Sequence, residues 1–193
     1  MRKLSLLALL GLASTAAHAQ TPLTQGRGLL TGSINYHYQS QASYNSNTQS
    51  FSFAPAAGYF IADNLALGLS LGVQSASFSP DYVVVGSPLQ YRATTFSVGP
   101  FMRYYQFVGG DKFALFGQGG LGYLHVNGDY AGNGGQGYLT VTPGLAFFPV
   151  PRFGVEASLR GITLATDFDR STTLDLGVSL QNLQLGVAYY FGK

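Results

Sequence analysis

Hydrophobic and polar positions alternate along most of the chain. Leu30, Ile34, Tyr36 and Tyr38 share one parity, while Thr31, Ser33, Asn35, His37 and Gln39 hold the other. Leu65, Leu67, Leu69, Leu71 and Val73 alternate with Ala66, Gly68, Ser70, Gly72 and Gln74. The same rhythm recurs over residues 96–104, 139–147, 153–159 and 183–191. A period of two marks strands with two different faces. Helix signals are missing: no i, i+3, i+4 stripe extends beyond the first residues, and the 26 glycines are spread throughout.

A weak internal repeat orders these strands. Aromatic pairs stand at Tyr59-Phe60, Tyr104-Tyr105, Phe147-Phe148 and Tyr189-Tyr190, spaced by 45, 43 and 42 residues. Pro55, Pro100 and Pro143 precede three of them at one offset. Short turns (IADN, FVGGDK, PVPR) follow three pairs, and longer polar stretches over 40–48, 77–90, 127–137 and 165–172 lie between pairs. Four repeats of two strands joined by a long loop give eight strands. Alternation of short turns with long loops is expected of a barrel with one end in the periplasm and the other outside. The prolines predict bulges near the periplasmic rim, because each forfeits a ladder hydrogen bond. Parity changes between Leu174–Leu180 and Leu183–Phe191, which predicts a further bulge at Gln181-Asn182.

Composition decides what the apolar face meets. Charged residues are only 9% of the 193, against 46% hydrophobic and 14% aromatic. A soluble β-sandwich or lipocalin-like barrel would carry Lys, Glu and Asp on its wet face. Here the apolar parity holds almost no charge, and the other parity holds Gly, Ser, Thr, Asn and Gln. An apolar outside around a polar inside suits a bilayer, where every backbone group must pair within the wall and the sheet must close. The doubled aromatics are expected to form the periplasmic girdle, and Tyr38, Tyr91, Tyr123 and Tyr138 the outer one. The absence of cysteine excludes a disulfide scaffold and lipoprotein acylation. Ten scattered cations against eight acids make no nucleic-acid-binding patch.

Residues 1–19 read as an address. Arg2 and Lys3 precede an apolar run, Leu4–Leu12, that is too short to span a bilayer. Ala17-His18-Ala19 supplies the small residues of a signal-peptidase site. Cleavage after Ala19 is expected, leaving residues 20–193 as a single barrel domain, with cations and acids level at eight each.

Chemical motifs match by spelling only. Gly68-Leu69-Ser70-Leu71-Gly72 fits a nucleophile elbow, but that motif needs a strand-to-helix turn and this Ser lies mid-strand. The glycines of 117–122 spell a dinucleotide fingerprint with no helix behind it. Asp167-Phe168-Asp169 opens like a calcium loop but lacks its Gly and distal Glu. His37 and His125 fall near external strand ends with no nucleophile apparent. No catalytic, cofactor or metal role is expected. Arg103, Glu156 and Arg160 carry more information, because all three have lumen parity. Arg103 lies just before the end of one strand and Glu156 just after the start of another, both near the periplasmic rim. Charges in a narrow barrel are costly unless paired, so an Arg103–Glu156 ion pair is expected, with Arg160 higher on the same face. Phe60, Phe101, Tyr105, Phe116, Phe148 and Tyr190 have inward or rim parity. An eight-strand interior is just wide enough for side chains to fill, so a plugged lumen is expected.

The leader, the eight alternating strands, the Pro-x-x-x-aromatic-aromatic endings and the final Tyr189-Tyr190-Phe191 resemble the small eight-stranded outer-membrane β-barrels, the OmpA/OmpX/OmpW-like family. The resemblance covers nearly all of residues 27–191. It implies an outer-membrane location, outer-membrane lipid and lipopolysaccharide as surroundings, and insertion by the barrel-assembly machinery. That machinery reads a terminal aromatic, here displaced by Gly192 and Lys193. A structural or surface-interaction role through the external loops, with an extracellular ligand as partner, is the leading expectation. The OmpW-like members imply a second one, a narrow channel or hydrophobic-solute conduit opening sideways into the bilayer. A lipid-modifying enzyme is the third.

Overall fold

The computed structural model describes residues 23–41, 46–80, 91–129, 134–159, 161–167, 172–177 and 183–192. They form ten strand segments: β1 (Gly28–Gln41), β2 (Ser46–Ala62), β3 (Leu65–Pro80), β4 (Tyr91–Phe107), β5 (Phe113–Gly128), β6 (Gly134–Val150), β7 (Phe153–Leu159), β8 (Ile162–Thr166), β9 (Thr172–Leu176) and β10 (Leu183–Phe191). All pairings are antiparallel. β1 to β6 pair in chain order, β6 pairs with β7, and β7 with β10, which returns to β1. β8 continues β7 along β6, and β9 continues β10 along β8, so ten segments make the eight staves of a closed barrel. No helix among the described residues is long and apolar enough to cross a membrane.

The alternation sets the two faces. Leu67, Leu69 and Leu71 of β3 are exposed on the outer wall, as are Val98 and Met102 of β4 and Leu139, Val141 and Leu145 of β6. Their neighbours Gly68, Ser70, Gly72, Ser97, Thr140 and Thr142 lie on the lumen parity and are partly covered. A lipid-facing wall of large apolar side chains around a lumen of small polar ones is the arrangement a transmembrane barrel requires.

Three sequence expectations need amendment. Pro55 and Pro100 make no bulge: register is unbroken past them within β2–β3 and β4–β5. Each of these two simply lacks one N–H, and the ladder skips a rung without inserting a residue. Opposite Pro143 the expected irregularity is present: β6 advances three residues from Val141 to Gly144 while the β7–β8 stave runs four, from Ser158 to Ile162, although β5–β6 stays in register. Where β4 passes β5, a Cβ on Gly122 would lie 2.8 Å from the Gly99 Cα, so the backbones approach where only glycine fits. The strands also run further than apolar patterning suggested. β2 begins at Ser46 and β3 reaches Pro80, inside stretches read as loops. Asn47, Gln49, Ser75 and Thr94 take outward positions there, because pairing continues after the wall leaves hydrocarbon and meets water. Tyr91 and Tyr138 do not join the outer girdle. Tyr91 pairs with Phe78 on the lumen parity, their rings stacked at 6.4 Å, and the Tyr138 hydroxyl reaches over its inward partner Gly122. Tyr38 and Tyr123 do face outward.

The bulge expected at Gln181-Asn182 falls outside the described residues. Its flanks carry the change of parity: Leu176 pairs with Ile162 and Leu183 with Leu159, so between these two rungs the chain advances seven positions along one stave and three along its neighbour.

Candidate functional site

Each repeat sends its aromatic pair to opposite faces. Tyr59, Tyr104, Phe147 and Tyr189 are exposed on the outer wall, whereas Phe60, Tyr105, Phe148 and Tyr190 are buried in the lumen. The four inner rings form a closed circuit at the periplasmic end. Phe60–Tyr105 centroids are 6.1 Å apart, Tyr105–Phe148 6.5 Å, Phe148–Tyr190 5.4 Å and Tyr190–Phe60 6.2 Å. The Tyr105–Tyr190 diagonal is 6.3 Å, with the rings edge to face. These separations are those at which aromatic pairs attract. The backbone repeats as the rings do. The N–H groups of Phe60, Tyr105, Phe148 and Tyr190 donate to the carbonyls of Arg27, Asn64, Lys112 and Arg152, each the residue before a strand begins.

Immediately above this floor lies the polar cluster. Arg103 and Glu156 are 7% and 5% exposed, and with Thr31 they are the buried polar side chains among the described residues. Arg103 Nη1 lies 2.8 Å from Glu156 Oε2 and 2.9 Å from Oε1. The same nitrogen donates to the Tyr105 hydroxyl (2.9 Å), and Nε donates to Gln118 Oε1 (2.8 Å). Glu156 also accepts from Tyr105 (3.0 Å), Tyr190 (3.3 Å) and Thr31 (3.0 Å). The guanidinium lies 4.6 Å from the Phe116 ring centroid and 5.8 Å from that of Phe101. Every charge is therefore paired and hydrogen-bonded, which a buried ion pair requires if it is not to destabilise its surroundings. The repeat makes room for so large a side chain. Two residues before their inner aromatics, the other repeats carry Gly58, Ala146 and Ala188 where this one carries Arg103.

The structure thus brings Arg103 and Glu156 together. Arg160, Ala17 and Ala19 lie outside the described residues. Phe60, Phe101, Tyr105, Phe116, Phe148 and Tyr190 are all buried inside the barrel. Sequence reasoning passed over Thr31, Gln118 and Leu23. Thr31 had a signal: it is the fourth residue of its strand, as Glu156 is of β7, and so sits at the same height. His37 has lumen parity on β1, His125 has outward parity on β5, and neither belongs to the cluster. Among the described residues no His, Cys, Asp and Glu group has metal-holding geometry.

A closed antiparallel barrel with an apolar belt, aromatic girdle and filled periplasmic floor defines a small transmembrane β-barrel. Residues 5–191 match the model of the outer membrane protein beta-barrel domain, and the chain belongs to that family; membership carries an outer-membrane location. No curated protein matches the sequence. Among solved structures, the N-terminal β-barrel domain of Pseudomonas aeruginosa OprF is 17% identical, with a TM-score of 0.50, covering 86% of this chain and 98% of that one. The outer membrane protein OprG of the same organism is 11% identical, with a TM-score of 0.50, covering 90% and 100%. Neisserial surface protein A is 16% identical, with a TM-score of 0.48, covering 86% and 98%. At these identities the likeness is one of fold.

Proposed function

We propose that this protein is a barrel closed toward the periplasm that acts at its outer end, in a structural or surface-interaction role through its external loops. One observation carries the reading: the four-ring floor and the Arg103–Glu156 cluster occupy the lumen just inside the periplasmic rim with buried side chains. A lumen so filled does not pass ions. Its partners in this reading are the outer-membrane lipid and lipopolysaccharide around the apolar belt, an extracellular ligand at the loops, and the barrel-assembly machinery during insertion. No catalytic step is assigned. Neither His37 nor His125 hydrogen-bonds through its side chain to a described residue. The test is single-channel conductance of the refolded chain in planar bilayers, with folding checked by a heat-sensitive gel shift. A folded barrel without conductance supports the reading. Steady conductance altered in Arg103→Ala overturns it and makes transport the leading function.

A further inference from the structure

Among the described residues, Leu23 is the one side chain of the buried apolar cluster that does not come from a strand. It is fully buried, in the same cluster as Phe60, Tyr105, Ala66 and Tyr190, while Thr24 and Gln25 beside it are exposed. The segment that carries it is fastened to the β2–β3 turn. The Asn64 N–H donates to the Leu23 carbonyl (2.8 Å), the Gln25 N–H to Asp63 Oδ1 (2.8 Å), and the Gly26 N–H to the Phe60 carbonyl (3.0 Å). Asn64 has a φ of 64°, a left-handed conformation that Asn tolerates. Its N–H holds Leu23 while its carbonyl accepts from the Tyr105 N–H (2.9 Å). One residue therefore clasps both the N-terminal segment and the aromatic ring. Gly26, at φ 92°, bends the segment into β1.

We propose that Leu23–Arg27 is a strap, latched by Asp63 and Asn64, that seals the periplasmic mouth beneath the aromatic ring as a second closure independent of the Arg103–Glu156 cluster. The partner of this latch is the chain itself. Its release exposes the lumen-facing side of β3 near the turn to the periplasm without opening a pore, because the ring still stands above.

The chain has no cysteine, so single thiols report cleanly. Leu23→Cys reads docking of the strap. Ala66→Cys, a fully buried lumen position on the strand that leaves the latch turn, reads the seal. Each refolded barrel in nanodiscs is treated with a membrane-impermeant maleimide, after the gel shift has shown it folded. Both thiols are expected to react slowly, and at least tenfold faster when Asp63→Ala is added. Fast labelling of either thiol in the parent overturns the proposal. So does a rise at position 23 without one at position 66, which makes the strap a tail and not a seal, or no rise at either. Conductance is measured on the same Asp63→Ala barrel. Current through the parent barrel would defeat the closed-floor reading and leave the labelling result to decide the strap separately.

Discussion

Replacing Glu156 with Ala removes the acceptor on which four donors converge and leaves Arg103 charged inside the lumen. Two acceptors remain to the guanidinium, Gln118 Oε1 and the Tyr105 hydroxyl, and both are neutral. Breaking a buried pair by deleting one partner costs about 3–5 kcal/mol, and this deletion belongs at the upper end. The converse change, Arg103→Ala, is milder, because the carboxylate keeps three hydroxyl donors, from Thr31, Tyr105 and Tyr190. Hydrogen bonds to a charged group are worth roughly 1.5–3 kcal/mol each, so the expected cost falls to about 2–3 kcal/mol. Joint replacement by apolar residues of similar length, Arg103→Met with Glu156→Leu, removes both charges and is expected to lie within ~1–2 kcal/mol of the parent, since apolar substitutes for buried pairs are often neutral. Urea unfolding of the refolded barrel in lipid vesicles, followed by the gel shift and circular dichroism, measures all three. The reasoning is refuted if Arg103→Ala destabilises more than Glu156→Ala, or if the double variant falls as far as the worse single one.

Two further outcomes test the outer wall. Leu69 faces lipid near the middle of the belt, so Leu69→Arg is expected to cost ~2–4 kcal/mol and to lower folding yield in vesicles; an unchanged yield would contradict that orientation. The chain has no tryptophan, so Tyr123→Trp and Tyr138→Trp each give one reporter. Lipids brominated on their acyl chains are expected to quench the first strongly and the second weakly, and equal quenching would return Tyr138 to the girdle.

What the sequence made legible follows from which interactions are periodic. The outer wall repeats every second residue because every outward side chain meets the same solvent, and so eight staves could be read directly. The floor was legible because it repeats every forty-odd residues: the aromatic pairs set a common height, and Arg103 and Glu156 could be measured from it. Leu23 was not legible, because it reaches the core from outside any strand and follows neither period. The prolines misled at Pro55 and Pro100, because a missing N–H breaks one rung while a bulge needs an inserted residue, as on the stave opposite Pro143, and composition does not separate the two. The strand ends over 40–48 and 77–90 misled for a related reason. Their composition is that of loops, yet ladder pairing depends on the backbone and continues beyond the lipid boundary.

The fourfold clasp has a consequence for how the barrel is put together. Each inner aromatic N–H is bonded to a residue of its own two-stave repeat, from Phe60 to Arg27 through Tyr190 to Arg152. These bonds are available as soon as one hairpin exists. The ion pair is different in kind: Arg103 belongs to the second repeat, Glu156 to the fourth, and the Thr31 that completes it to the first. It forms only when the last stave has met the first, so it belongs to the final event of assembly. Contacts absent from the rate-limiting state act on escape from the native state and hardly on arrival there. The cluster at the floor is accordingly a lock on the finished barrel, governing how long it stays closed more than how fast it forms.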